Sequence, residues 1–142
     1  MKIKNFNNIT DTDLQEISLD FLDILKRNIP MLLHGDLGMG KTTFVKHLLF
    51  HVGCQDVVTS PTFSLVHTYE TSIGPVHHFD LYRIEKEEDL MNIGFYDVLH
   101  HEPVIIEWPK VMIQPCVAVH INPAASSTTR HMSVHYASTR FA

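Results

Sequence analysis

The sequence predicts an α/β fold with a mixed central sheet, and three observations carry that prediction. In the first half, segments with apolar residues at helical spacing alternate with short apolar runs. A glycine-rich turn, His34-Gly35-Asp36-Leu37-Gly38-Met39-Gly40, separates one such run from the next helix. In the second half, extended segments are joined by turns, as hairpins are.

Taken in order, a short extended piece at Lys2–Phe6 leads to Thr10-Asp11-Thr12-Asp13, a cluster of N-cap residues with acids in the first turn. Leu14, Ile17, Phe21, Ile24 and Leu25 then recur at helical spacing, predicting one helix up to Asn28 that Pro30 stops. Met31-Leu32-Leu33 reads as a buried strand, and Lys41 to about His51 as a second helix closed near Gly53. Val57-Val58 begins a further strand, broken by Ser60-Pro61; Phe63 to Tyr69 is extended; Thr71–Pro75 is a turn, with Val76–Leu81 returning as hairpin partner. Glu85–Asn92 is an acidic helix ending at Gly94, and Phe95–His100 adds one helical turn. Val104-Ile105-Ile106 is a buried strand. The tail offers two strands, Val117–Ile121 and His131–Ala137, around the polar loop Asn122–Arg130.

Composition bounds the function. A chain of 142 residues has room for one ordinary core, and 44% hydrophobic with 19% charged residues excludes intrinsic disorder. A net charge of −5 excludes a global basic footprint for nucleic acid or anionic membrane. Two cysteines, Cys54 and Cys116, make no disulfide framework and read as small buried hydrophobes. The N-terminal stretch lacks the apolar centre of a signal peptide, and no apolar run is long enough to span a bilayer; the expected location is cytoplasmic.

The glycine-rich turn is the sharpest signal. Gly35-Asp36-Leu37-Gly38-Met39-Gly40-Lys41-Thr42 fits G-x-x-x-x-G-K-[ST] at each fixed position. Gly38 and Gly40 lack Cβ, so the backbone can bring its N–H groups against a phosphate. The helix after them aims its positive end at the same anion. Lys41 reaches β- and γ-phosphates, and Thr42 places a hydroxyl where Mg²⁺ sits. A strand before and a helix after supply the expected context.

Such a site also needs a carboxylate at the end of a nearby strand. Val104-Ile105-Ile106-Glu107 and Val76-His77-His78-Phe79-Asp80 both qualify. The more apolar run favours Glu107 on the metal, leaving Asp80 to assist with the metal or to orient water. Thr59-Ser60-Pro61-Thr62 reads either as a plain proline turn or as a switch that senses the γ-phosphate. Arg83 suits phosphate, a partner or a surface ion pair; Trp108 suits the nucleotide site or the core. Eleven histidines include the adjacent pairs His77-His78 and His100-His101. Strand neighbours point to opposite faces, which is poor geometry for shared metal ligation, so these read as surface or satisfied polar residues.

Four segments together, GDLGMGKTTF (Gly35–Phe44), SPTFSLVHTYE (Ser60–Glu70), HFDLYR (His78–Arg83) and IEWP (Ile106–Pro109), resemble the bacterial TsaE family in order and spacing. The acidic stretch Glu85–Asp97 resembles the family's segment after FDLYR. Met39 departs from the family's usual alanine, at a position where the motif accepts any residue. The resemblance implies a P-loop NTPase-like, three-layer α/β fold with a mixed central sheet and antiparallel hairpin additions, as a single domain over 1–142. The resemblance covers about Thr10 to Pro109, the single domain following from chain length, and it also implies a small Mg²⁺-dependent ATPase needed for the threonylcarbamoyladenosine modification at tRNA position 37. In that scheme TsaC makes threonylcarbamoyl-adenylate, TsaD with TsaB transfers the group, and TsaE binds the TsaB–TsaD complex and sustains its turnover. Carried over by position, Leu37, Gly38, Met39, Gly40, Lys41, Thr42 and Thr43 hold the nucleotide, with Thr12 near the adenine. Thr42 and Glu107 take the metal. Asp80, Lys41 and the switch residue Thr62 serve hydrolysis.

The residues also bear on other function classes. A nucleotide-gated binding module, in which ATP sets partner affinity, is the alternative to a slow, partner-regulated ATPase. A small-molecule kinase would need a lid insertion, and none follows the phosphate loop. A GTPase would need N-K-x-D, which is absent. Acidic net charge leaves tRNA contact only indirect or through a site shared with partners.

Overall fold

The computed structural model describes residues 2–36, 38, 40–111 and 113–137. Leu37 and Met39, expected in the phosphate loop, lie outside the described residues.

Seven strands form one sheet: β1 (Lys2–Ile9), β2 (Met31–His34), β3 (Val66–Thr71), β4 (Gly74–Asp80), β5 (Val104–Glu107), β6 (Cys116–Pro123) and β7 (Arg130–Ala137). Their spatial order is β1-β7-β6-β2-β5-β4-β3. The middle four, β6-β2-β5-β4, run parallel. On the flanks β3 pairs antiparallel with β4, β7 with β6, and β1 with β7. The expected mixed sheet with antiparallel additions is therefore what forms. β2 and β5 are buried almost end to end, as strands covered on both faces must be.

Helices α1 (Asp11–Ser18), α2 (Leu22–Lys26) and α3 (Lys41–His51) cover one face; α4 (Glu87–Asn92) and α5 (Phe95–Val98) cover part of the other. Alternation along the strands sorts the core. Met31, Leu33, Ile105, Val117 and Val119 meet Leu14, Phe44, Val45 and Leu48 of the first layer. Leu32, Phe79, Val104 and Ile106 meet Leu90 and Phe95 on the opposite side. Phe44 is fully buried edge-on to Phe21, ring centroids 5.2 Å apart. Of the two cysteines, Cys116 is buried and Cys54 half-buried.

Thr10 caps α1 as its residue type demands. Its hydroxyl accepts from Asp13 N–H at 3.2 Å, and the Asp13 carboxylate accepts from Thr10 N–H at 2.9 Å. Those bonds hold the Asp13 carboxyl below its ordinary value.

Three expectations change. The single helix to Asn28 is interrupted by a 3₁₀ turn at Leu19–Phe21 between α1 and α2. Ser18, buried, turns its hydroxyl back on the Gln15 carbonyl at 2.6 Å, a competitor to the helical ladder that bends helices. The segment still ends by a Schellman pattern: Ile29 N–H bonds Ile24 O, Asn28 N–H bonds Leu25 O, and Asn28 takes φ +57°. Val57-Val58 is not a strand; Val57 is 84% exposed while only Val58 packs inward. The extended segment expected from Phe63 starts at Val66, because Leu65 adopts φ +71° and its N–H closes a turn onto Pro61 O.

Candidate functional site

The parallel strands put their C-terminal ends on one edge of the sheet, where open α/β sheets bind ligands. β2 runs into the glycine-rich turn, and Gly40 is the N-cap of α3 at φ +100°. Only glycine takes that conformation without strain. A Cβ there would lie 3.1 Å from an Arg130 guanidinium nitrogen, whereas Gly38, at φ +80°, faces open space. No side chain caps α3 and its first turn holds no acid, so its leading N–H groups and dipole stay available for an anion.

Lys41, the first residue of α3, is only 5% exposed. Its ammonium donates to the Gly35 carbonyl and lies 3.7 Å above the Trp108 ring, a cation–π contact. Trp108 reaches that place from φ +53° immediately after β5. Burial pushes the Lys41 pKa down, against the pull of Glu107, Asp80 and Asp36.

Asp80 ends β4 and Glu107 ends β5, directly opposite each other in register. Leu33 of β2 pairs with Glu107 on its other side. Both carboxylates are 2% exposed. Asp80 accepts from Thr62 Oγ1 at 3.0 Å, from Ser60 Oγ at 3.4 Å and from Tyr82 N–H at 2.9 Å. Glu107 accepts from His78 Nε2 at 2.6 Å.

These groups border one cleft of about 500 Å³. Of the residues expected from sequence, Gly38, Gly40, Lys41, Thr42, Thr43, Thr62, Asp80 and Glu107 all line it. Thr12 does not; it is exposed in the first turn of α1, and its neighbour Asp11 is the lining residue, bonded to His47 of α3 at 3.2 Å. Ser60 and Thr62 carry the proline turn onto Asp80, and Trp108 takes the site rather than the core. Arg83 lies outside the cleft, 5.1 Å from the ring of exposed Phe63.

Two functional candidates escaped the sequence reading. Arg130, at the start of β7, lines the cleft against Gly40; it follows a Ser/Thr run with no local signal, and only strand pairing brings it there. His78, expected at the surface or as a satisfied polar residue, is fully buried and bonds Glu107 through one nitrogen only among the described residues. The strand alternation that separates it from His77 also puts it on the face of Asp80, and that clue was legible.

The donor set suits Mg²⁺. Thr42 supplies a hydroxyl, and Asp80 and Glu107 supply carboxylate oxygens, hard ligands of the type this ion prefers. Among the described residues no three His, Cys, Asp or Glu side chains converge to hold a metal alone.

Comparison with known proteins agrees with the motifs. Residues 9–134 match the model of the family described as threonylcarbamoyl adenosine biosynthesis protein TsaE. The Rickettsia prowazekii protein named tRNA threonylcarbamoyladenosine biosynthesis protein TsaE is 33% identical over 81% of this chain and 83% of its own. The Rickettsia felis protein of the same name is 40% identical over 62% of this chain, and the match spans about half of that relative, 52%. The crystal structure of YdiB from Bacillus subtilis superposes with a TM-score of 0.73 at 22% identity, covering 99% of this chain and 89% of that one; it shares the fold. Motifs and family match converge: the chain belongs to the TsaE family of threonylcarbamoyladenosine biosynthesis proteins.

Proposed function

We propose that this cleft binds Mg·ATP and hydrolyses it slowly, and that the chain thereby supports threonylcarbamoyladenosine modification of tRNA in the cytoplasm together with a TsaB–TsaD complex. The observation that carries the reading is the burial of Lys41, Asp80 and Glu107 around one cleft beside an uncapped helix start. Phosphoryl transfer asks for positioning and charge neutralisation more than covalent chemistry. The backbone from Gly38 to Gly40 and the α3 N-terminus bind the phosphates. Lys41 leaves the Gly35 carbonyl to meet them, a move favoured because an anion offers more than a neutral acceptor. Thr42 and Glu107 hold Mg²⁺, which when bound neutralises charge on the β- and γ-phosphates. Asp80 orients the attacking water, and Thr62 and Ser60, already bonded to it, make loop 59–65 responsive to what occupies the site. The group transfer itself falls to the partners. With a net charge of −5, the chain meets tRNA indirectly or through a composite surface. Among the described residues no helix is long and apolar enough to cross a membrane.

Asp80→Ala separates hydrolysis from gating. Single-turnover hydrolysis is expected to fall about 100-fold or more while ATP binding persists. A variant that hydrolyses like the wild type removes Asp80 from the chemistry. The bonds from Thr62 and Ser60 to Asp80 favour one second reading, a nucleotide-gated binding module. Asp80→Ala that binds ATP and fully restores cells lacking the protein would select that reading.

A further inference from the structure

We propose that His78 is a positioning residue for Glu107, holding the carboxylate in the orientation in which it receives Mg²⁺; the inference rests on the Mg·ATP reading above. The position itself asks for something else. His78 sits on β4 between Val76 and Asp80 on the same face, with Ile105 opposite it in register, and both Val76 and Ile105 are fully buried. An aliphatic side chain would fill that space and leave no polar atom behind. The imidazole instead buries Nδ1 with no hydrogen-bond partner among the described residues. Its other nitrogen has one bond, to Glu107 Oε2 at 2.6 Å, with His78 0% and Glu107 3% exposed at the side chain. A ring that leaves one nitrogen unsatisfied and places the other within short hydrogen-bond distance of a cleft carboxylate is there for that carboxylate.

The neighbouring residue supplies the contrast. His77 points to the opposite face and satisfies both nitrogens, bonding Thr68 Oγ1 at 3.0 Å and Glu102 at 3.1 Å. That second carboxylate is 38% exposed and lies outside the cleft. Two adjacent histidines thus each meet a glutamate, but only the bond of His78 is buried and only its glutamate lines the nucleotide cleft. Glu107 has three side-chain torsions to fix; the imidazole bond removes that freedom before any metal arrives. Partners of metal-binding carboxylates act in this way on metal affinity.

The test uses calorimetry on the full chain with two probes, ATP plus MgCl₂ and ATP plus EDTA, alongside the melting temperature. His78→Leu fills the core and removes the donor; His78→Gln keeps an N–H within reach of Glu107. His78→Leu is expected to weaken Mg·ATP about tenfold while metal-free ATP binds as in the wild type, and His78→Gln to recover most of the loss. Equal binding of both probes in wild type and His78→Leu overturns the inference. So does an equal loss for both probes, or a His78→Gln no better than His78→Leu, since a purely structural role moves the melting temperature and treats the probes alike. Should His78→Leu not fold, His78→Asn, too short to reach Glu107, replaces it with the same expected split. Lys41→Ala in the same assay keeps the two levels apart. If it abolishes binding while His78→Leu does nothing, His78 alone loses its role; if the wild type binds neither probe, the Mg·ATP reading itself fails.

Discussion

The parallel centre of the sheet and its antiparallel flanks are built from similar strands but deliver chemistry differently. In β2, β5 and β4 the chain direction is shared, so the glycine-rich turn, Glu107 and Asp80 arrive at one edge without further arrangement. In the flanks, direction alternates: β3 and β7 reach the same edge where they begin, and β1, whose Ile9 lies opposite Arg130, where it ends. In β7, Arg130 is the first residue, placed beside Pro123 at the end of β6, and its guanidinium lies over Gly40. The difference teaches that the site is dictated by topology at its centre and only supplemented by the flank.

The largest effect should therefore come from the centre. Lys41→Ala is expected to cost about 3 kcal/mol of Mg·ATP binding, a loss of roughly 150-fold in affinity, because it removes a charged donor from a water-poor site. Calorimetry that finds the affinity unchanged would break the comparison at once.

The flank should matter less. Arg130→Ala is expected to weaken Mg·ATP by about 1 kcal/mol, and the loss should shrink as salt is raised, since the guanidinium lies at the rim of an open cleft. A loss as large as that of Lys41→Ala would put the flank on equal terms with the centre.

A separate effect concerns stability rather than binding, on the sheet face that α4 and α5 leave uncovered. There His34 stacks on His120, ring centroids 4.3 Å apart, and His135 meets His120 edge-on at 4.9 Å. Burial first, then the neighbouring His120, His135 and Lys41, pushes the His34 pKa down to about 4. The unfolded chain therefore takes up a proton near pH 6.5 that the folded chain refuses until about pH 4. Stability is full above pH 6.5 and falls as the pH drops through that window, by about 1–2 kcal/mol after solvent screening. In His34→Asn that part of the acid loss should disappear from urea titrations run at pH 7 and pH 4.5.

How much of this could be read in advance follows the same division. The glycine-rich turn between β2 and α3 and the run Val104–Glu107 were legible because a strand-to-helix turn needing positive φ and a doubly covered strand each demand a narrow residue pattern. Thr10 and Asp13 announced their cap for the same reason. The break at Ser18 was not legible, since a mid-helix serine can face water or turn back onto its own helix, and only its burial here shows which. Val57-Val58 looks like a strand by propensity, but it lies in the irregular stretch between α3 and β3 and Val57 points to solvent. Arg130 could not be placed before its strand pairing was known. His78 could have been, because its spacing of two from Asp80 sets both on one face.

The most direct measurement is a crystal structure grown with Mg²⁺ and a non-hydrolysable ATP analogue. The expected structure has the β- and γ-phosphates wrapped by the turn that ends at Gly40, the Lys41 ammonium moved from the Gly35 carbonyl onto them, and the ion bound by Thr42 and Glu107. A nucleotide bound elsewhere, or that turn left empty with Lys41 still on Gly35, would contradict it.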